Sequence, residues 1–201
     1  MTDGRERPAL QLNTLGLVHD FLRRMVKPGD FCIDATAGKG RDTALLCRLT
    51  GENGRVLAFD IQPEAVEQTK QLLQSRGLTA EVRLDSHANM EAYAPAESVD
   101  VIVFNFGRLP GGDVNIYTRA DSSIAAIAAG LRLLKPGGFL IMALYYGGFN
   151  GYEERDAVLE YVRTLNPRTF SVLQGSWVNR PNDPPMPLII WKEESLKRDR
   201  P

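Results

Sequence analysis

Two rhythms of apolar and polar positions alternate along this chain. Leu15, Val18, Leu22, Met25 and Val26 recur at helical spacing, predicting a helix over residues 10–26 with Asn13 or Thr14 as its cap. Lys27-Pro-Gly-Asp30 is a turn, and the unbroken apolar run over 31–35 reads as a buried strand. The alternation then repeats. Strands are expected over 56–60, 81–85, 99–105 and 139–146. Helices are expected from Thr43 onward (Leu45, Leu46, Leu49), over 65–76 between Pro63 and the glycine stop Gly77, over 119–134, and over 152–165. Ile124, Ile127, Leu131 and Leu134 form one stripe of the third of these. Two last strands, near 169–178 and 187–191, flank a proline-rich loop and close as an antiparallel hairpin. The pattern predicts an α/β fold with a seven-stranded, mostly parallel sheet and helices on both faces. One domain is expected, with 1–9 and 193–201 as loose tails.

The first strand ends in a carboxylate, Asp34, and breaks into a turn carrying Gly38 and Gly40 before the next helix. Strand, glycine turn and helix bring backbone N–H groups up to a nucleotide-like ligand. Twenty residues beyond Gly40, Asp60 closes the second strand, where an acid can take both hydroxyls of a ribose. Two ligands fit this pattern. A dinucleotide site has a third glycine where this chain has Thr43, and an acid before the turn suits a cation better than a diphosphate. S-adenosyl-L-methionine, with its ammonium and sulfonium, matches that electrostatics; a dinucleotide or a ligand-free turn remains the alternative.

Size and charge narrow the partners. The chain has 201 residues, 43% of them hydrophobic, enough for a core, and a net charge of −1, so any RNA contact must rest on local cations. Cys32 and Cys47 fall in an apolar strand and an apolar helix face and are expected as buried thiols of a reducing, cytoplasmic compartment. His19 and His87 are the two histidines, and no metal-ligand spacing exists. His19 is expected as a partly exposed surface residue.

Chemistry is expected beside the nucleotide strand. The fourth strand stops at Asn105-Phe-Gly-Arg-Leu-Pro-Gly-Gly-Asp113. If the nucleophile of a methyl transfer is an amine, its lone pair must be free and aimed, and the carbonyl of Asn105 can accept an N–H bond to aim it without holding a charge. The plain alternative is that Asn105 bonds backbone in a tight turn. Asp113 is expected to be exposed or capping, and Thr118, Ser122 and Ser123 to start the next helix. Asp85 is read either as an acceptor for an adenine amine or as a helix cap. Arg108, Arg119 and Arg180 are candidates for RNA phosphates at the crevice mouth.

Five strings carry a resemblance: 34–43 (Asp-Ala-Thr-Ala-Gly-Lys-Gly-Arg-Asp-Thr), 59–62 (Phe-Asp-Ile-Gln), 86–90 (Ser-His-Ala-Asn-Met), 104–113 (Phe-Asn-Phe-Gly-Arg-Leu-Pro-Gly-Gly-Asp) and 179–185 (Asn-Arg-Pro-Asn-Asp-Pro-Pro). Over roughly residues 13–192 the chain resembles the bacterial rRNA-methylase family, which includes the enzymes that methylate the aminomethyl group of the tRNA wobble uridine. The resemblance implies a Rossmann-like class I methyltransferase fold, the S-adenosyl-L-methionine donor, and conversion of 5-aminomethyl-2-thiouridine to its N-methyl form in tRNA; the alternatives are a methyltransferase acting on rRNA or a small-molecule amine, or a non-catalytic module that binds S-adenosylmethionine or RNA. It implies that Asp34, Ala35, Thr36, Gly38, Gly40, Asp42, Thr43, Asp60, Ile61, Gln62, Ser86, His87 and Asn105 line the donor. It further implies that Asn105 and Asp113 are catalytic, and that Phe106, Gly107, Arg108, Leu109, Pro110, Gly111, Gly112, Tyr145 and Arg180 face the target. One departure stands out: after the fifth strand the family commonly has Tyr-x-Gly-His, and this chain has Tyr145-Tyr-Gly-Gly148. No metal and no membrane partner is expected. A homodimer is conceivable on size alone, since a chain this small must hold a bulky RNA.

Overall fold

The computed structural model describes residues 12–108, 111, 117–147 and 151–194. Along the chain run α1 (Thr14–Met25), β1 (Phe31–Asp34), α2 (Arg41–Thr50), β2 (Arg55–Asp60), α3 (Pro63–Ser75), β3 (Glu81–Leu84), a 3-10 turn (His87–Ala92), β4 (Val99–Phe106), α4 (Ala120–Leu133), β5 (Leu134–Leu144), α5 (Gly151–Arg163), β6 (Phe170–Gln174) and β7 (Met186–Lys192). The strands form one sheet in the order β3-β2-β1-β4-β5-β7-β6. The first five are parallel, and β7 runs antiparallel to both of its neighbours. The expected seven strands, helices on both faces and closing antiparallel hairpin are all present.

Alternation along the strands sorts the core into two layers. On β4, Ile102, Phe104 and Phe106 join Ala126 and Ile127 of α4 and Val158 of α5. Val101 and Val103 point the other way, to Val18 and Leu22 of α1 and Leu45 and Leu46 of α2. Asn105 is next in that second series, so strand register delivers it to the α1–α2 side.

Three boundaries move. Asn13 caps α1, its side chain accepting from Gly16 N at 2.7 Å, so the helix starts later than residue 10. Strand β5 starts at Leu134, not at 139: Leu134 pairs with Val99 and Phe139 with Val101, so Lys135–Gly138 is looped out of the ladder as a bulge. A 3-10 turn over His87–Ala92, absent from the apolar pattern, is capped by Ser86, whose side chain accepts from Ala88 N at 3.2 Å. Cys32 and Cys47 are buried free thiols, as expected. Among the described residues no helix is long and apolar enough to cross a membrane. The tails expected as loose lie largely outside the described residues, as do Leu109, Pro110, Gly112, Asp113 and Gly148.

Candidate active site

The carboxyl ends of β1, β2 and β4 meet at the glycine turn, the position at which an open parallel sheet binds its ligand. Gly40 is in the left-handed region (φ 74°) at the start of α2, and a Cβ there would stand 2.9 Å from the Thr69 Cα of α3. Only glycine fits that contact, so α3 packs directly on the turn.

Asp60 supplies both of its oxygens to the turn's backbone. One accepts from Gly38 N at 2.9 Å and the other from Gln62 N at 3.0 Å. With two acceptor positions on each oxygen, the carboxylate keeps capacity for a ligand hydroxyl beyond its backbone bonds. Asp34 is fully buried, accepting from Thr43 Oγ1 at 2.6 Å and Thr36 N at 3.2 Å. Burial first, and then the negative charge of Asp42, push its pKa up to about 7. Burial likewise raises that of Asp60, against the backbone N–H groups that lower it. Asp34, Asp42 and Asp60 thus converge on one turn, and among the described residues none of them accepts a hydrogen bond from a lysine or arginine. A diphosphate would be repelled there. A ribose and a cationic amino-acid tail are matched.

Asn105 lies across from this turn. Its backbone N–H donates to Thr36 Oγ1 at 2.7 Å, joining β4 to the end of β1. Its side chain faces Asp42, the second residue of α2, at 2.7 Å. A carboxylate only accepts, so the amide presents Nδ2 to Asp42 and leaves Oδ1 without a partner among the described residues. The other Asp42 oxygen is 2.6 Å from His19 Nε2 of α1. His19 is partly exposed, as expected from the sequence, and it also contacts Asp42. Its signal was not local: twenty-three positions separate it from Asp42.

Beyond Asn105, Gly107 turns the chain at φ 147°, where a Cβ would press on that of Tyr145 at 3.0 Å. Tyr145 thereby stands beside the end of β4, with its backbone N–H on Phe106 O at 3.0 Å. Burial and the Asp42 charge raise its phenol pKa, so it stays a neutral donor. Thr118 closes the base of the loop. Its N–H donates to Gly107 O at 2.8 Å, its Oγ1 accepts from Gly107 N at 2.7 Å, and that hydroxyl lies 2.9 Å from Glu154 Oε2. Ser123 Oγ donates to the other Glu154 oxygen at 2.5 Å. Burial raises the Glu154 pKa. Thr118 and Ser123, expected only to start α4, instead tie the loop to a buried acid on α5 that carries no signal in the sequence pattern.

The other expected residues divide. Thr36, Asp42, Thr43 and Gln62 are at the turn. Ala35 is buried there, and Ile61 is 55% exposed beside Asp60, open to a ligand. His87 is buried edge-on against Phe104 and Phe106, with Nε2 unpartnered among the described residues, and burial holds it neutral. Phe106, expected to face the target, is fully buried and stacked on Phe104, because strand alternation turns it into the α4 layer. Asp85 accepts from Asn89 at 2.7 Å and Tyr93 at 2.7 Å, so it braces the 3-10 turn while Ser86 caps it. Arg108 and Gly111 are exposed. Arg180 lies 4.1 Å above the Trp177 ring and donates to Leu12 O.

Sheet order, glycine turn and the acid closing β2 define a class I, S-adenosylmethionine-dependent methyltransferase. The chain belongs to the family described as "Putative rRNA methylase", which matches it over residues 56–191. It is 32% identical over 188 residues to the chloroplastic tRNA (mnm(5)s(2)U34)-methyltransferase of Arabidopsis thaliana, covering 88% of this chain and 69% of that one. The structure of a "putative rRNA-methylase" from Clostridium thermocellum superposes with a TM-score of 0.87 at 40% identity, covering 90% of this chain and 97% of that one. A "putative methyltransferase" from Streptococcus mutans, solved in complex with SAH, gives 0.81 at 33% identity, covering 90% and 98%.

Proposed function

We propose that this chain methylates the amine of the 5-aminomethyl group on the wobble uridine of tRNA. The observation that carries the reading is the Asn105 amide, whose Nδ2 is committed to Asp42 while Oδ1 is left to accept. An acceptor without charge suits an amine nucleophile. It takes one N–H and leaves the lone pair free, whereas a carboxylate there would favour the unreactive ammonium. The likeness to a relative named for the wobble position supports the same substrate.

When bound, S-adenosylmethionine supplies a sulfonium methyl that an amine takes by in-line displacement, the S–C bonding pair staying on sulfur. Asp60 and the Gly38 turn would hold the ribose, and Asp34, whose pKa burial and Asp42 push up to about 7, would take up its charge opposite the cationic end. Asn105 orients the amine.

The test is direct. Purified protein is incubated with methyl-labelled donor and tRNA carrying 5-aminomethyl-2-thiouridine, and the nucleosides are resolved by mass spectrometry. Label in the N-methyl nucleoside is expected, with roughly a hundred-fold slower turnover for Asn105→Ala. Label in ribosomal RNA alone, or in neither RNA, refutes the tRNA assignment.

A further inference from the structure

The helices before and after β1 each send one side chain toward the Asn105 amide. His19 leaves α1 beside the buried positions Val18 and Leu22, and Asp42 occupies the first turn of α2. The three form one chain: His19 Nε2 to Asp42 Oδ1 at 2.6 Å, and Asp42 Oδ2 to Asn105 Nδ2 at 2.7 Å. Side-chain exposure falls along it from 19% at His19 to 8% at Asp42. As a carboxylate, Asp42 offers only acceptors, so the imidazole must carry its proton on Nε2.

The consequence lies in the amide. An asparagine side chain can turn over about its last torsion, exchanging its carbonyl and NH2 ends, at little intrinsic cost. The flipped amide would place Oδ1 against the Asp42 oxygen and aim two N–H donors at the nucleophile. Asp42 forbids that arrangement only while its own carboxylate is held in place, and His19 is the group that holds its second oxygen.

We propose that His19 is a positioning residue for methyl transfer. Through Asp42 it holds the Asn105 amide in the one orientation that offers Oδ1 to the amine. This rests on the role given to Asn105 above. His19 sits behind Asp42, one side chain removed from the Asn105 amide, so its loss should lower turnover more than it weakens donor binding. Glutamine at position 19 keeps an N–H donor at nearly the same reach and should restore the interaction.

Two measurements test it. The first is free of catalysis: the side-chain amide resonances of Asn105, assigned by their loss in Asn105→Ala, are followed in the donor-free protein by proton–nitrogen NMR. In His19→Ala they should move toward free-amide positions and exchange faster with solvent; in His19→Gln they should stay. The second is a kinetic cycle at saturating tRNA and donor. His19→Ala should lower kcat about tenfold, with a smaller loss of donor affinity by calorimetry. It should have no further effect in the Asn105→Ala background.

Unchanged Asn105 resonances in a folded His19→Ala protein overturn the proposal, and so does an equal kcat loss with Asn105 present or absent. A His19→Ala protein that loses donor affinity and stability together, without rescue by glutamine, assigns His19 to packing and overturns it as well. If Asn105→Ala itself turns over at the wild-type rate, the role of Asn105 is wrong. The NMR result then still decides whether His19 governs the amide.

Discussion

In the proposed site, two side chains at the glycine turn make sharp predictions. Asp60 keeps acceptor capacity beyond its backbone bonds, and hydrogen bonds to a charged group contribute roughly 1.5–3 kcal/mol each. Asp60→Ala should weaken donor binding at least about tenfold by calorimetry, with part of the loss arising from the relaxed Gly38 backbone. Asp34 carries a pH dependence. Its pKa is raised from 3.8 to about 7 by burial and by Asp42, so the folded chain binds that proton more tightly than the unfolded one. The donor-free protein should therefore lose stability as pH rises from about 4 towards about 7. A cationic donor reverses the trend by favouring the ionised form, so its affinity should climb over the same window. Asp34→Asn should make both curves shallower, leaving the part that Asp60 and Glu154 contribute. Thermal melts and calorimetry across pH read the two together, and a slope that survives undiminished in Asp34→Asn assigns it to another group.

Helix and loop elements reach the site through polar ties, not only through their apolar stripes. Thr118 is the plainest example, because its hydroxyl both accepts from Gly107 and faces Glu154. Thr118→Val keeps the shape and removes both hydrogen bonds. With about 1 kcal/mol net for each hydrogen bond, plus an unsatisfied Gly107 N–H, a melting temperature lower by roughly 4–8 °C is expected for a domain this size. Turnover should fall while donor affinity holds, because the tie anchors the loop beside Asn105 and not the glycine turn. A variant with wild-type kcat would mean that the loop keeps its place without Thr118. How legible these elements were depended on periodicity. Helices α1 to α5 and the apolar strands were read within a few residues of their true ends. The 3-10 turn and the looped-out Lys135–Gly138 were not, since neither leaves a repeat in the sequence.

At the scale of the whole molecule, the returning β7 brings the 175–185 loop back to the carboxyl edge of the sheet. Met186 pairs with Leu144, so the residues just before it lie over the active-site side. Thr14 of α1 donates to Pro185 O, and Tyr152 of α5 donates to Asp183, so the loop joins both layers there. Arg155 lies 4.8 Å from the Tyr146 ring and 5.0 Å from that of Tyr152, and Arg180 stacks on Trp177. Planar cations and rings along one edge suit an unstacked RNA loop. With a net charge of −1, phosphate binding must be local. Replacing Arg108, Arg119 and Arg180 together by alanine should reduce the log–log salt slope of tRNA binding by about 0.7–0.9 for each phosphate that these arginines neutralise. An unchanged slope would place the RNA elsewhere.

By itself, the sequence determined what local chemistry determines. Apolar period set the elements, glycines marked the turn, and Asp34 and Asp60 declared themselves by standing at strand ends. Asn105 was legible for the same reason. What the tertiary structure decided is which groups meet. Asp42 could be placed in the first turn of a helix, but its contact with Asn105 depends on the order β1-β4, which brings residues 63 positions apart to 2.7 Å. Phe106 and Asn105 are neighbours in sequence, yet pleating sends one into the α4 layer and the other to the site. The His19 contact was unreadable because its partner lies on another helix, and only the packing of α1 against α2 over one face of the sheet brings a histidine beside an apolar stripe to Asp42.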